Sequence, residues 1–485
     1  MNPSSDLVNK LWRRAAILRK DGVTYFQYVT ELTYLLFLKM LKEQGHEKGY
    51  VPEAYNWDSL RNREGTDLLD HYRDMLVKLG TDKTPGVHRQ VIAIFANAST
   101  FIRTPVNLDT LIKTIDELDW YSSERDSFGD LYEGLLQKMA EETKKGAGQY
   151  FTPRVLINAI VELMDPQPGE VIQDPAIGTG GFIIAADTHI RTKTDNYFDL
   201  IERAQTFQTR DAYHGIENVL DTYRLLLMNL HLHGVQTSHI SLADTLSPAG
   251  AAMKPADLIL TNPPFGPAGG RPSRDDLTIT HSVSSYQLPF VEHCLRALKP
   301  GGRAAIVVPD NVLFEDGKGK QLRQKIMDEA DLHTILRLPT GIFYAQGVKT
   351  NVIFMTKAKK EGATGTTKAV WIYDLRANRP SFGKTAPLTL AHLQPFMDAY
   401  RAKRREDEGE EGRFRCFSRE EITSRGDNLD ISWLRDDSES RDIGEPEDIA
   451  AEIMAELQIA MASIETLTAE LASEEEDEAA PVAAE

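Results

Sequence analysis

The sequence predicts an α/β protein: a doubly wound, mostly parallel, Rossmann-like sheet between an all-α N-terminal domain and a C-terminal helical tail. Three patterns carry this. From Val171 to Thr356, short apolar runs of strand length alternate with helix-length segments, the pattern of a largely parallel sheet with crossover helices. Upstream of about residue 145, apolar residues recur at helical spacing. Downstream of Pro446 they recur at heptad spacing.

The elements follow in order. Leu7, Leu11, Trp12, Ala15 and Leu18, then Tyr25, Val29, Leu32, Leu36 and on to Leu41, stand as in a helical bundle core. Shorter helical patterns follow, among them Ile92–Phe95 and Asp126–Lys144. Residues 1–145 are the expected helical N-terminal domain, suited to contacts. Gly146–Arg154 is a loop that opens a helix, with Thr152 as N-cap and Pro153 at the first helical position. A helix start of this kind can hold a carboxylate through its free N–H groups, or it is an ordinary loop-to-helix cap. Strands are expected at Val171–Asp174, Ala212–Glu217, His239–Ala243, Asp257–Thr261, Arg303–Pro309, Thr334–Leu338 and Thr350–Thr356. Helices are expected at Phe182–Ile190, Asn218–Leu232 and Tyr286–Leu298. The sheet domain spans 146–400 and includes an extra strand at Ala369–Asp374. Residues 401–445 read as a linker with short elements. In 446–472, Ile449, Ile453, Leu457, Ala460, Ile464, Leu467 and Leu471 form an apolar seam; either a partner helix or the body of the molecule covers it. Residues 473–485 read as an acidic, disordered tail.

Composition narrows the function. With 41% hydrophobic and 26% charged residues, the chain has the make-up of a soluble globular protein. Its two cysteines, Cys294 and Cys416, lie far apart, against a disulfide framework or structural zinc and in favour of a reducing compartment. No apolar run has membrane-spanning length, and Met1–Asp6 lacks the regions of a signal peptide. A cytoplasmic protein is expected, with no membrane partner. The net charge of −18 argues against a stand-alone nucleic-acid binder. Were DNA the substrate, positive surface must be local or come from a partner. Arg271 and Arg274, in a Gly/Pro-rich segment, are candidates for touching phosphates, unless that segment is a solvent loop.

Chemistry gathers at the expected strand ends. Asn262-Pro263-Pro264-Phe265 follows the run Asp257–Thr261. Two prolines cannot continue a sheet ladder, and Pro263 pushes Asn262 toward an extended backbone. A carboxamide and backbone carbonyls are then held stiffly beside an aromatic ring, at the end of the strand where open α/β sheets bind ligands. That set suits a flat molecule with an exocyclic amine. Asp174–Phe182 joins a strand to a helix through Gly178-Thr179-Gly180-Gly181, without the full dinucleotide fingerprint. Asp174 would repel a pyrophosphate but accept from an ammonium group, or else cap a turn. Glu217 ends the second strand, where an acidic residue accepts from ribose hydroxyls; the alternative is a surface glutamate before a helix. Asp244, after the third strand, could accept from an adenine amine or cap a turn. Together they describe a pocket for a cofactor with a ribose and an amine but no phosphate. S-adenosylmethionine fits; no metal is suggested.

These motifs resemble a known family. The Asp174–Phe182 loop with Asn262–Phe265 looks like the amino-methyltransferases, and Gly148–Arg154 ahead of the loop resembles the γ arrangement of adenine-N6 DNA methyltransferases. Asp130–Gln137, Gly301–Phe314, Leu336–Asn351 and the stretches LVNKLW and LLFLKM are similar to the methylation (M) subunit of type I restriction–modification systems, in the group typified by the K-12 enzyme. The resemblance runs from about residue 5 to 470. It departs at Ile177 and Gly180, while Gly178 and Gly181 remain. It implies methyl transfer to adenine N6 in duplex DNA, after the base flips out, on a methyltransferase sheet. It implies that Gln149, Tyr150, Phe151, Thr152, Pro153, Arg154, Thr179, Gly180, Gly181 and Glu217 contact S-adenosylmethionine, beside Asp174, Gly178 and Asp244. Asn262–Phe265 become the catalytic tetrapeptide. It further implies a separate specificity subunit with two M subunits each, a restriction motor-nuclease subunit, and docking through 446–472. Asn-Pro-Pro-aromatic also serves methylation of a protein glutamine or an RNA guanine, and a non-catalytic scaffold is the remaining alternative.

Overall fold

The computed structural model describes residues 8–13, 22–117, 127–142, 152–236, 238–343, 349–360, 362–377, 382, 387–434, and 454, 457 and 461. The chain forms two compact units. One comprises Met1–Gly146, Gly178–Gly180 and Val219–Thr237; the other comprises Ala147–Ile177, Gly181–Asn218 and Ser238–Glu485.

The first unit is helical, as its periodicity predicts. Its central helix, Tyr25–Glu43, starts at a capping box in which Thr24 and Gln27 exchange hydrogen bonds. Every residue from Tyr28 to Leu41 is buried, so other elements surround this helix on all sides. Glu31 lies fully inside and accepts from Tyr72 Oη, Thr100 Oγ1 and Phe101 N. Burial raises its pKa against these bonds. The helix Leu220–Leu232, expected with the sheet, belongs instead to this unit. Arg224 explains why: its buried guanidinium donates to Ile94 O and Ala96 O at 2.9 and 2.7 Å.

The second unit is built on a nine-stranded sheet in the order β3-β2-β1-β4-β5-β7-β6-β8-β9. The strands are β1 Ile172–Asp174, β2 Tyr213–Glu217, β3 Ile240–Leu242, β4 Ala256–Thr261, β5 Leu298–Pro309, β6 Ala330–Arg337, β7 Thr350–Lys357, β8 Ala369–Asp374 and β9 Phe414–Ser418. Strands β1 to β5 pair in parallel, β7 runs antiparallel between β5 and β6, β6 pairs in parallel with β8, and β9 closes the edge antiparallel to β8. Chain order reverses direction across the sheet between β1 and β4, which makes their carboxyl ends the topological switch point. One face packs an apolar cluster that includes Ile259, Leu288, Val291, Cys294, Ile306, Ile353 and Ile372.

The short elements expected after residue 400 include one more strand of the sheet. Phe414–Ser418 pairs with β8, helix Arg419–Ser424 follows, and Leu429 and Ile431 join the apolar cluster. The charged residues around β9 mask it in the sequence, since an edge strand has no long apolar run. Within 446–472 only Met454, Leu457 and Met461 are described; they are helical and more than half exposed. The rest of that segment lies outside the described residues. Among the described residues, no helix is long and apolar enough to cross a membrane.

Candidate active site

Asp174, Glu217 and Asn262 stand at the carboxyl ends of three adjacent parallel strands, with β1 between β2 and β4. Asp174 pairs across to Gly215 on β2. A Cβ at Gly215 would sit 3.1 Å from Ile177 Cβ and 3.2 Å from Asp174 O, so glycine lets the turn after Asp174 lie close against β2. The turn is held there by Ile177 N donating to Ile216 O at 3.1 Å, and by Thr245 Oγ1 donating to Pro175 O at 2.5 Å.

Asp174 is 1% exposed, and its Oδ1 accepts from Ala176 N at 3.0 Å. Burial pushes its carboxyl up to about 7, and the charge of Glu217 acts in the same direction; the Thr261 hydroxyl and Ala176 N–H pull the other way. Glu217 is itself buried. Two buried carboxyls thus stand at neighbouring strand ends.

On the other side of the switch point, Pro263 and Pro264 end β4. Asn262 Nδ2 donates to Thr152 Oγ1 at 2.9 Å. Thr152 was the expected N-cap of the next helix. That helix, Arg154–Met164, has Pro153 at its cap with no side-chain cap bond, and the hydroxyl serves Asn262 instead. Arg154 Nη1 donates to Gly181 O at 3.3 Å and so holds the start of helix Gly181–Lys193. After Phe265, which is half-buried, Gly266 turns at φ 87°. Its N–H donates to Gln287 Oε1 and its carbonyl accepts from Tyr286 N.

The structure thus brings Asp174, Glu217, Asn262 and Thr152 to one edge of the sheet. Asp244 is exposed, with Oδ1 accepting from Leu246 N at 2.8 Å in a turn. Gly178 and Gly180 take positive φ, as their loop requires, and Thr179 O accepts from Asn229 Nδ2 at 2.8 Å within the helical unit. Gln149, Tyr150 and Phe151 lie outside the described residues. Arg274 corrects its expected role. It is 5% exposed, grips Asp276 with two bonds, and donates to Thr245 O and His293 Nδ1. It ties the segment after Phe265 to the turn after β3 and has no face for a phosphate. Burial, reinforced by Arg274, pushes His293 down to about 3, so its Nδ1 is an acceptor. Thr245 and Gln287 were missed; each is a neutral residue whose role depends on a distant partner.

Comparison with known proteins decides the family. A model described as N-6 DNA Methylase matches residues 123–442, and one described as HsdM N-terminal domain matches residues 7–118. The chain belongs to the N-6 DNA methylase family. It is 48% identical to the EcoKI type I restriction enzyme methylase subunit of Escherichia coli K12, over 98% of this chain and 96% of that one. It is 47% identical to the StySPI methylase subunit of Salmonella potsdam, over 98% and 97%. Among solved structures, the EcoKI M protein aligns at TM-score 0.56 with 43% identity over 96% of each chain. A chain from a study of complex assembly and conformational transition of the type I R-M system aligns at TM-score 0.73 with 26% identity, over 98% of this chain and all of that one. The methylase is therefore a type I restriction–modification methyltransferase subunit acting on adenine N6 in DNA.

Proposed function

We propose that this chain transfers a methyl group from S-adenosylmethionine to an adenine flipped out of duplex DNA, in the cytoplasm, with another subunit choosing the sequence. The observation that carries it is the Asn262 carboxamide at the switch point, one strand from the buried Asp174 and two from Glu217. The donor set fits the cofactor: a buried carboxyl for an ammonium, a second carboxyl for a ribose diol. When bound, S-adenosylmethionine supplies an electrophilic methyl group on a sulfonium sulfur.

The chain's residues do the rest. Phe265 stacks on the flipped base. Asn262 Oδ1 and Pro263 O accept the two N6 hydrogens, which draws the nitrogen toward a tetrahedral shape and returns its lone pair from the ring for attack. As positive charge grows on N6, these same oxygens stabilise it. Asp174 orients the donor through its ammonium, Glu217 through its ribose, and Asp244 through its adenine amine. Thr152, Pro153, Arg154 and Gly181 complete that side.

The net charge of −18 leaves sequence choice to a specificity subunit, with two copies of this chain on each, and a motor-nuclease subunit joins for restriction. The exposed apolar side chains of Met454, Leu457 and Met461 support residues 446–472 as the docking helix. A chain truncated after residue 445 fails to co-purify with the specificity subunit; retained association overturns that part. The test of the chemistry is Asn262→Ala. Methyl transfer falls on the order of 10²–10³-fold while S-adenosylmethionine still binds. Transfer at the wild-type rate overturns the reading.

A further inference from the structure

We infer that Arg274 is a positioning residue for Asp174, holding the chain on both sides of it so that its carboxyl meets the ammonium end of the methyl donor. This rests on the proposed role of Asp174 and adds how that carboxyl is kept in place.

Arg274 reaches the two chain neighbours of Asp174 by separate routes. On one, Nη1 donates to Thr245 O at 2.9 Å, and Thr245 Oγ1 donates to Pro175 O at 2.5 Å. On the other, Nη1 donates to His293 Nδ1 at 2.9 Å, and His293 Nε2 donates to Gln173 Oε1 at 3.3 Å. Gln173 and Pro175 flank Asp174. No bond in either route can run the other way. A guanidinium has donors only, so His293 Nδ1 accepts and the proton of the neutral imidazole sits on Nε2. Gln173 Nε2 donates to Lys254 O at 3.1 Å, a backbone carbonyl, which turns Oε1 to the imidazole. Pro175 O is likewise a carbonyl, so the Thr245 hydroxyl donates to it.

The clamp is dry and anchored. Arg274, Gln173, Thr245 and His293 are each 5% exposed or less, so water does not compete for these bonds. Beside Arg274, Ser273 N donates to Leu246 O at 2.9 Å. A Cβ at Gly250 would sit 1.9 Å from Thr245 O and 2.9 Å from Arg274 Nη1, so glycine there leaves room for the bond between them. The guanidinium charge is taken up by Asp276, which accepts from Nε at 2.7 Å and Nη2 at 2.6 Å and is held well below the usual carboxylate range by Arg274. Arg274 thus acts on Asp174 through position rather than charge. A charge-assisted bond to an ammonium is sensitive to placement, and a carboxyl whose two neighbours are both tied cannot swing away from it.

The experiment uses the full chain with its specificity subunit and calorimetry with two ligands. One is S-adenosylmethionine; the other is 5′-methylthioadenosine, which keeps the adenosine and sulfur but lacks the amino-acid end. Arg274→Lys keeps a cation beside Asp276, but one ammonium cannot replace the fork that serves Asp276, Thr245 and His293 together. The expected result is a Kd for S-adenosylmethionine weakened on the order of tenfold and a Kd for 5′-methylthioadenosine within about twofold of wild type. In an Asp174→Asn background, Arg274→Lys adds no further loss, because the two residues act as one. Equal weakening of both ligands means general damage to the pocket and overturns the inference. So does additive loss in the double variant, or wild-type affinity in Arg274→Lys. If Arg274→Lys does not fold, Thr245→Val, which removes the bond to Pro175 O, is held to the same two-ligand criterion. Asp174→Asn alone separates the two levels. If it loses affinity for S-adenosylmethionine while Arg274→Lys is normal, only the inference falls; if it binds as wild type, the reading beneath it falls.

Discussion

Asp174, fully buried, and Asp310, half-buried, both stand at the carboxyl ends of parallel strands, β1 and β5, yet the protein treats them in opposite ways. Around Asp174, burial wins and the carboxyl titrates near 7. Around Asp310, burial also acts upward, but Arg376 grips both oxygens at 2.8 Å and Asn351 adds a third bond, so its pKa falls below the ordinary range. Nearby, Arg337 at the end of β6 donates to Asp430, Ile431 O and Ser432. The β5–β8 half of this edge is closed by its own arginines. In the β2–β1–β4 half, the acid is left costly. Asp310 is neutralised by the fold itself, whereas the ionised form of Asp174 stays disfavoured by burial.

The comparison can be broken from either side. The largest effect is expected on the closed half. Arg376→Ala strands Asp310 without its cation and lowers stability by about 3–5 kcal/mol, measured by urea unfolding. The Kd for S-adenosylmethionine at native conditions stays near wild type. A neutral outcome would mean that Asp310 is solvated rather than held.

Asp174→Asn should do the reverse. Losing a charge-assisted bond to the ammonium weakens S-adenosylmethionine binding by roughly 10- to 100-fold, read by calorimetry at pH 8, without lowering stability at that pH. The sign follows from linkage. Asp174 binds its proton more tightly folded, near 7, than at the ordinary 3.8. The folded chain thus loses stability as pH rises from about 4 to about 7 and is flat above, a slope worth roughly 4 kcal/mol in all. Asp174→Asn removes that slope; a variant whose stability still declines over this range would place the titration elsewhere.

A smaller effect belongs to cofactor affinity in the wild type. Binding an ammonium favours the ionised carboxyl, so affinity climbs as pH passes through about 7 and then levels, and Asp174→Asn is flat across the same range. The smallest is at Asp244. Its alanine variant loses the bond to Leu246 N and with it about 1 kcal/mol of stability. Affinity for S-adenosylmethionine falls a further few-fold, about the worth of one neutral hydrogen bond. Asp244→Asn keeps the turn. If only the melting temperature moves in Asp244→Ala, the side chain caps the turn and nothing else.

Much of the site was legible in advance because strand ends are locally punctuated. Asp174, Glu217, Thr261 and Asp374 end β1, β2, β4 and β8 at the residues expected; after β1 and β4 the following prolines, Pro175 and Pro263-Pro264, cannot continue a ladder. Roles that depend on a distant partner were misread. Thr152 has every local mark of an N-cap and serves Asn262. Arg274 looks like a solvent-facing cation beside glycines and is buried on Asp276 and Thr245. Strand β9 hides among charges because an edge strand buries little.

By itself, then, the sequence determined the helical first domain, the alternation that makes a parallel sheet, and the residues that emerge at its strand ends. Each is set by neighbours within a few positions through periodicity, proline and glycine. Only the tertiary structure decided that β4 lies beside β1, which puts Asn262 next to Asp174. It also decided which arginine meets which aspartate, and so which acid is neutralised. Those outcomes depend on pairings across tens to more than a hundred residues, where burial and charge act through space and leave no local mark.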